Sequence, residues 1–200
     1  MALRSSVQAR LDRLVLVQRM SPFNPRPKTI ELLTGLPHSV VNGLIDSERL
    51  RTGRLPCANE WYHTATLLER VEASILASLY QRNRDSGYPV AEALIEAYEG
   101  LRDHLPNGAL ITFDRAFFLM AQLEPGTYPG FKEKLLSLAT CPTCGCRHLV
   151  QYGAPQAEDG CVFCRFIGRY HLDSRLRAHF EPRRTSRSES SESRSSAPAQ

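Results

Sequence analysis

The chain has no long apolar run near its start and no cluster of residues typical of catalysis. The apolar run of its first twenty residues, Leu14 to Val17, is too short for the core of a signal peptide, and no stretch of the sequence has the length of a membrane span. The six histidines are scattered, and no glycine-rich phosphate loop is present. We therefore expect a cytoplasmic protein without a membrane segment, a small-molecule substrate or an enzymatic activity.

The composition is that of a folded chain whose charge is unevenly divided. Its hydrophobic content of 42% is sufficient for the core of one or two domains. The formal charge of +4 divides into +5 for residues 1–54, −4 for 55–140, +2 for 141–180 and +1 for 181–200. This distribution predicts a basic surface for a polyanion and an acidic middle segment that binds a protein partner.

Four cysteines form two C-x-x-C pairs, which are the most specific signal in the sequence. Cys141 and Cys144 are separated by sixteen residues from Cys161 and Cys164. Each pair can place two thiolates on one tetrahedral ion, and two pairs at this distance predict a closed site for one Zn²⁺. Because four protein ligands leave no open position for water, the predicted role of the zinc is structural.

Other interpretations of the cysteines remain. Two disulfides would need an oxidising compartment, and nothing in the sequence indicates export. A redox-active pair usually opens a helix in a βαβ unit, and we see no strand pattern before Cys141. Cys146 is an alternative to Cys144 as a ligand, and His148 and His171 are reserve ligands at most. Structural zinc is the favoured hypothesis.

Helical periodicity dominates the rest of the chain. The predicted helices cover 4–20, a long segment capped by Asn59 and ending at Gly87, Val90 to Leu101, Leu110 to Leu123, and 131–138. The first of them is expected to use one apolar face, made of Val7, Leu11, Leu14 and Val15.

The predicted fold is mainly α, with a small C-terminal module. A helical domain spans 1–140, and its helices over 59–138 are the candidate partner surface. Residues 141–180 form a four-cysteine, zinc ribbon-like module that is too small to build a core without metal. The Ser/Arg/Glu-rich residues 181–200 are expected to be disordered.

Residues 29–50 form a candidate helix-turn-helix. The first helix covers Thr29 to Thr34, Gly35 takes the left-handed turn conformation, and the second helix runs from about His38 to Leu50. Glu31 lies where such motifs prefer a small residue. The predicted core positions of the motif are Ile30, Leu36, Val41 and Leu44.

The exposed face of the second helix is the candidate DNA-binding surface. It would present His38, Ser39, Asn42, Asp46 and Arg49. Asparagine can bind adenine through two hydrogen bonds, and arginines bind phosphates. The alternative is an ordinary helical hairpin with a solvated polar face. The predicted DNA contacts are Ser39, Asn42, Arg49, Arg51, Arg54, Arg165 and Arg169.

Several further stretches give a resemblance to a known family. They are Gly53-Arg54-Leu55-Pro56 followed by Trp61, the helix with Ala73 to Tyr80, Ala97-Tyr98, Arg115-Ala116-Phe117, and the cysteine pattern. Over residues 7–166 the chain resembles the FlhC family, a subunit of the bacterial flagellar transcriptional activator.

The resemblance implies a specific function. Members of the family are mostly helical and bind one structural zinc through four cysteines, which match Cys141, Cys144, Cys161 and Cys164 here. They assemble with FlhD into a hetero-oligomer, a heterohexamer, which binds double-stranded promoter DNA and recruits RNA polymerase to early flagellar operons. Two alternatives remain from the residues alone, a zinc-ribbon RNA-binding protein and a thiol redox enzyme.

Overall fold

The computed structural model describes residues 2–45, 61–128, 130–154 and 160–181, with side chains from residue 7 onward. Several predicted features lie outside these ranges: the cap Asn59, the DNA contacts Arg49, Arg51 and Arg54, the stretch Gly53 to Pro56, and the tail after residue 181. The prediction of a mainly helical protein is confirmed.

Nine α-helices, a short 3-10 helix (Ser21–Phe23) and one hairpin are the regular elements of the described part of the chain. In chain order they are α1 (Ala2–Met20), α2 (Pro27–Thr34), α3 (His38–Leu44), α4 (Trp61–Thr64), α5 (Leu67–Asp85), α6 (Val90–Asp103), α7 (Phe113–Leu123), β1 (Leu136–Thr140), β2 (Arg147–Gln151), α8 (Val162–Tyr170) and α9 (Ser174–Phe180). None of these helices is long and apolar enough to cross a membrane.

Helix α1 matches the predicted segment, but its predicted apolar face is wrong at three of the four positions, since only Leu14 packs against the core. Val7, Leu11 and Val15 are about half exposed, whereas Val17 and Met20 are buried. The C-terminal half of α1 packs on α2 and α6. Because of this packing, a different face of the helix is buried in the core. Residues 7–13 are all exposed, so this part of α1 has no buried face.

The long helix predicted from Asn59 is divided into α4 and α5. Thr66 is extended and caps α5: its side chain accepts a hydrogen bond from the Glu69 N–H, and the Glu69 carboxylate accepts from the Thr66 N–H. This capping box starts a new helix after α4. In the same way Thr112 caps α7, which therefore begins at Phe113 and not at Leu110.

The core lies between α5, α6 and α7. Its large buried side chains include Leu76 and Tyr80 of α5, Leu94 of α6 and Phe117 of α7. The sequence of α7 is apolar over most of its surface, and ten of its eleven residues are buried. The hairpin packs against α5 and α7 of this group.

The helix predicted over 131–138 is wrong. Residues 131–135 form no regular element, and β1 pairs antiparallel with β2, with Leu138 opposite Leu149. Two hydrogen bonds fix the hairpin to the helices: the Tyr62 hydroxyl donates to the Leu149 carbonyl at 2.7 Å, and the Leu149 N–H donates to the Ser74 hydroxyl oxygen at 3.2 Å. The position of the cysteine-bearing turn is thus set by α4 and α5.

Candidate metal centre

The first cysteine pair lies in the turn between β1 and β2. Gly145 takes a φ of 72°, the left-handed conformation in which glycine avoids the clash of a Cβ. Its N–H donates to the Cys141 carbonyl at 2.9 Å, and the Cys141 N–H donates to the Cys146 carbonyl at 3.0 Å. These two bonds fold the turn so that Cys141 and Cys144 lie close together.

The second pair lies at the start of α8. Cys161 is the N-cap residue of this helix, and Cys164 lies in its first turn. Gly160, with a φ of 82°, precedes them, and a Cβ at this position would lie only 3.0 Å from the Cβ of Cys164. The first residue before the pair must therefore be glycine for the chain to approach Cys164 so closely.

The four sulfur atoms converge. They lie within 4.8 Å of one another, and three of the separations are 3.8 Å for Cys141–Cys164, 3.5 Å for Cys144–Cys161 and 3.8 Å for Cys161–Cys164. A tetrahedral ion with Zn–S bonds of about 2.3 Å requires sulfur atoms about 3.8 Å apart. A disulfide bond measures about 2.05 Å, so the sulfurs are not bonded in pairs. The four cysteines are positioned to bind a metal ion.

Local hydrogen bonds prepare part of this site for a cation. The backbone N–H groups of Cys144 and Thr143 lower the pKa of Cys141 to about 5 against the effect of burial, and the N–H of Cys146 lowers the pKa of Cys144. Burial raises the pKa of Cys161 to about 12. The backbone N–H groups of the turn thus favour the thiolate form of Cys141 and Cys144, which is the form of cysteine that binds a metal ion.

Three further residues flank the centre without joining the four sulfurs. Cys146 is exposed and contributes its carbonyl to the turn. His148 is largely buried on β2, and His171 is exposed after α8. Within the described part of the chain, the four-cysteine cluster is the group of metal-binding side chains that comes together.

The elements that carry the cysteine pairs can be compared with those of a redox-active dithiol. The expectation of no strand before Cys141 is wrong, because β1 leads directly into the first pair. That strand continues into a hairpin turn, so the first pair does not open a helix as redox pairs usually do, although the second pair does open α8. The convergence of all four sulfurs favours a shared ion over an independent dithiol.

The candidate helix-turn-helix forms in part. Gly35 takes a φ of 67°, and its N–H donates to the Glu31 carbonyl at 2.8 Å, as predicted for the turn. Ile30, Leu36 and Val41 are buried. Leu44 is 48% exposed, and Ile45 is buried in its place because the chain becomes extended there and α3 ends at Leu44. Residues 46–50 of the predicted second helix lie outside the described ranges.

The four predicted DNA contacts that fall within the described residues lie on two separate elements. Ser39 and Asn42 are exposed on α3, which packs against α2. Arg165 and Arg169 are exposed on α8, which packs against α5 and α9. Helix α9 adds the exposed Arg175 and Arg177 near the second pair of predicted contacts.

Comparison of the sequence with known proteins finds a flagellar regulator. The chain is similar to the flagellar transcriptional regulator FlhC of Cupriavidus pinatubonensis (strain JMP 134 / LMG 1197). The two are 27% identical over 169 residues, which cover 81% of this chain and 75% of that protein. No protein-family model matches the chain. The similarity supports a relationship to FlhC.

Two structural features of the site were not anticipated from the sequence. Gly160 had a local signal, since it directly precedes Cys161. The contact of His179 with Glu72 had none: the Glu72 carboxylate is fully buried, accepts the N–H groups of Leu110 and Ile111, and lies 2.6 Å from Nε2 of His179. This contact joins α9, which follows the metal centre, to the helical core.

Proposed function

We propose that this chain is a DNA-binding subunit of a transcriptional activator related to FlhC. The observation that carries the proposal is the similarity to an FlhC over most of both chains. The four-cysteine cluster supports it, since the resemblance in the sequence includes this pattern. In this proposal the protein acts in the cytoplasm and is not an enzyme.

The proposed metal is one structural Zn²⁺ held by Cys141, Cys144, Cys161 and Cys164. Four thiolates at the observed sulfur separations suit zinc, which prefers tetrahedral sulfur sites. The ion would join the hairpin turn to the start of α8, two segments that are otherwise linked through α5. It would supply rigidity, and no reacting group.

The proposed DNA surface combines a base-contacting helix with basic groups. Ser39 and Asn42 of α3 would face base edges, and the arginines would bind phosphates. The proposed phosphate contacts are Arg49, Arg51, Arg54, Arg165 and Arg169.

The proposed partners are an FlhD-like subunit, promoter DNA and RNA polymerase. The acidic segment from residue 59 to 138 would bind the FlhD-like subunit in a hetero-oligomer, a heterohexamer. That complex would bind duplex promoter DNA and recruit RNA polymerase to early flagellar operons.

Co-expression with a candidate FlhD-like subunit tests the proposal. We expect one complex in which both chains co-purify, with its stoichiometry given by native mass measurement. Its affinity for flagellar promoter duplex should fall about a hundredfold or more between about 50 and 200 mM salt, because several phosphates are contacted. RNA of equal length serves as competitor. A protein that forms no complex and binds RNA better than duplex DNA would contradict the proposal.

A further inference from the structure

A chain of hydrogen bonds crosses the turn between α2 and α3. Nζ of Lys28 lies 3.2 Å from Oε2 of Glu31, and Oε1 of Glu31 lies 2.5 Å from Nδ1 of His38. Nε2 of His38 lies in turn 2.9 Å from Nδ2 of Asn42. A small residue was expected at position 31, but the Glu31 side chain forms a hydrogen bond with His38 of α3.

The hydrogen-bond partners of Glu31 and His38 determine which of their atoms carry protons. Burial raises the pKa of Glu31, but the hydrogen bonds from His38 and Lys28 outweigh it, and the pKa is lowered overall. A carboxylate accepts only, so Nδ1 of His38 carries the proton. In the neutral imidazole Nε2 is then the acceptor, and it takes one N–H of the Asn42 amide.

The result is a fixed carboxamide on the exposed face of α3. With one N–H bound to His38, Asn42 retains its Oδ1 acceptor and its second N–H donor for another molecule. One donor beside one acceptor is the pattern that binds N7 and the N6 amino group of adenine in the major groove. An unheld asparagine amide could turn over and exchange the donor with the acceptor.

We propose that Glu31 and His38 are positioning residues that hold Asn42 to bind an adenine edge in duplex DNA. This inference rests on the proposed DNA-binding function and deepens it. In this inference Asn42 discriminates between bases, and Glu31 and His38 orient its amide.

Selection from a randomised duplex DNA library tests the proposal on the co-purified complex with the partner subunit. Bound DNA is sequenced for the wild type and for each variant. The variants are Asn42→Ala, His38→Ala, Glu31→Ala and His38→Gln. Glu133→Ala, an exposed carboxylate on the loop before β1, is the matched control. Affinity for a fixed non-specific duplex is measured on each variant to check folding and phosphate binding.

We expect Asn42→Ala to lower discrimination at one adenine position about fivefold or more. Glu31→Ala and His38→Ala should weaken discrimination at the same position, with unchanged non-specific affinity. In His38→Gln the side-chain oxygen can still accept from Asn42, so this variant should keep the discrimination. Unchanged base preferences in Glu31→Ala and His38→Ala would overturn the inference while leaving DNA binding intact. Wild type that binds no duplex would overturn the proposed function as well.

Discussion

At the scale of single residues, Glu124 shows how one carboxylate connects two helices. Its Oε2 accepts from the Tyr80 hydroxyl at 2.6 Å, and its Oε1 lies 2.8 Å from a terminal nitrogen of Arg84. The hydrogen bond from Arg84, aided by that from Tyr80, lowers the pKa of Glu124 against the effect of its burial. Both donors lie on α5, so Glu124 holds the end of α7 against that helix.

Replacing Glu124 with glutamine should remove a pH-dependent part of the stability. Because the folded pKa is lowered, the carboxylate stabilises the protein above its ordinary value near 4.5, and this contribution is lost as the pH falls through the folded value. We therefore expect Glu124→Gln to be less stable than wild type near pH 7, with the two converging in acid. Urea unfolding at a series of pH values measures this. Glu133→Gln is the control, and a constant difference at all pH values would contradict the assignment.

At the same scale, the conformation of a turn could be predicted from the sequence, whereas the burial of several side chains could not. Gly35 was predicted to take a positive φ because the turn between α2 and α3 requires it locally, and it does. The burial of Leu44 was predicted wrongly because it depends on where α3 ends, which no local signal marks. For the same reason the exposed Val7 and Leu11 were assigned to a core: periodicity shows an apolar stripe, and the neighbouring helices decide which stripe is buried.

At the scale of elements, the capping box of α5 determines where the core helix begins. Thr66→Ala should cost about 1 kcal/mol of the free energy of unfolding, because the Glu69 N–H loses its side-chain acceptor and the box is broken. Thr64→Ala is the matched control: its hydroxyl bonds the Trp61 carbonyl within α4 and caps nothing, so a change below about 0.5 kcal/mol is expected. Equal losses in the two variants, measured by urea unfolding, would contradict the capping role.

The elements were predicted unequally well. Helices α6 and α7 have apolar residues at helical spacing and are followed by helix-breaking residues. Both lie close to their predicted ranges. The hairpin was missed because β1 has only five residues and its apolar spacing also fits a helix turn. Its strand conformation depends on pairing with β2 and on the bonds from Ser74 and Tyr62, which are distant in sequence.

At the scale of the whole molecule, Glu72 joins segments that are far apart in the chain. It accepts the N–H groups of Leu110 and Ile111 and contacts His179 of α9, while the Asn107 side chain donates to the carbonyls of Ala178 and Glu181. The C-terminal helix is thereby bound to the loop before α7. No sequence pattern indicates such a contact, because its partners are separated by about a hundred positions.

Glu72→Ala should destabilise the protein by roughly 3 kcal/mol, since two buried N–H groups and His179 lose their acceptor. His179→Ala should cost less, because Glu72 keeps its two backbone donors. Thermal and urea unfolding of both variants measure which of them loses more of the free energy of unfolding. His171→Ala, an exposed histidine after α8, is the control. A smaller effect for Glu72→Ala than for His179→Ala would contradict this account.

The metal centre gives the last prediction at this scale, because its ligands come from the hairpin and from α8. Cys161→Ser removes a sulfur that lies 3.5 Å from Cys144 and 3.8 Å from Cys164. We expect this variant to lose its metal, measured by elemental analysis, and with it the hydrogen-exchange protection of β1, β2 and α8, since metal binding contributes on the order of 10–16 kcal/mol to such small sites. Protection in α6 and α7 should persist, because their buried side chains pack independently of the sulfurs. Cys146→Ser is the matched control, an exposed thiol outside the cluster, and should keep full metal content. Loss of metal in Cys146→Ser with retention in Cys161→Ser would mean that Cys146 and not Cys161 is the ligand.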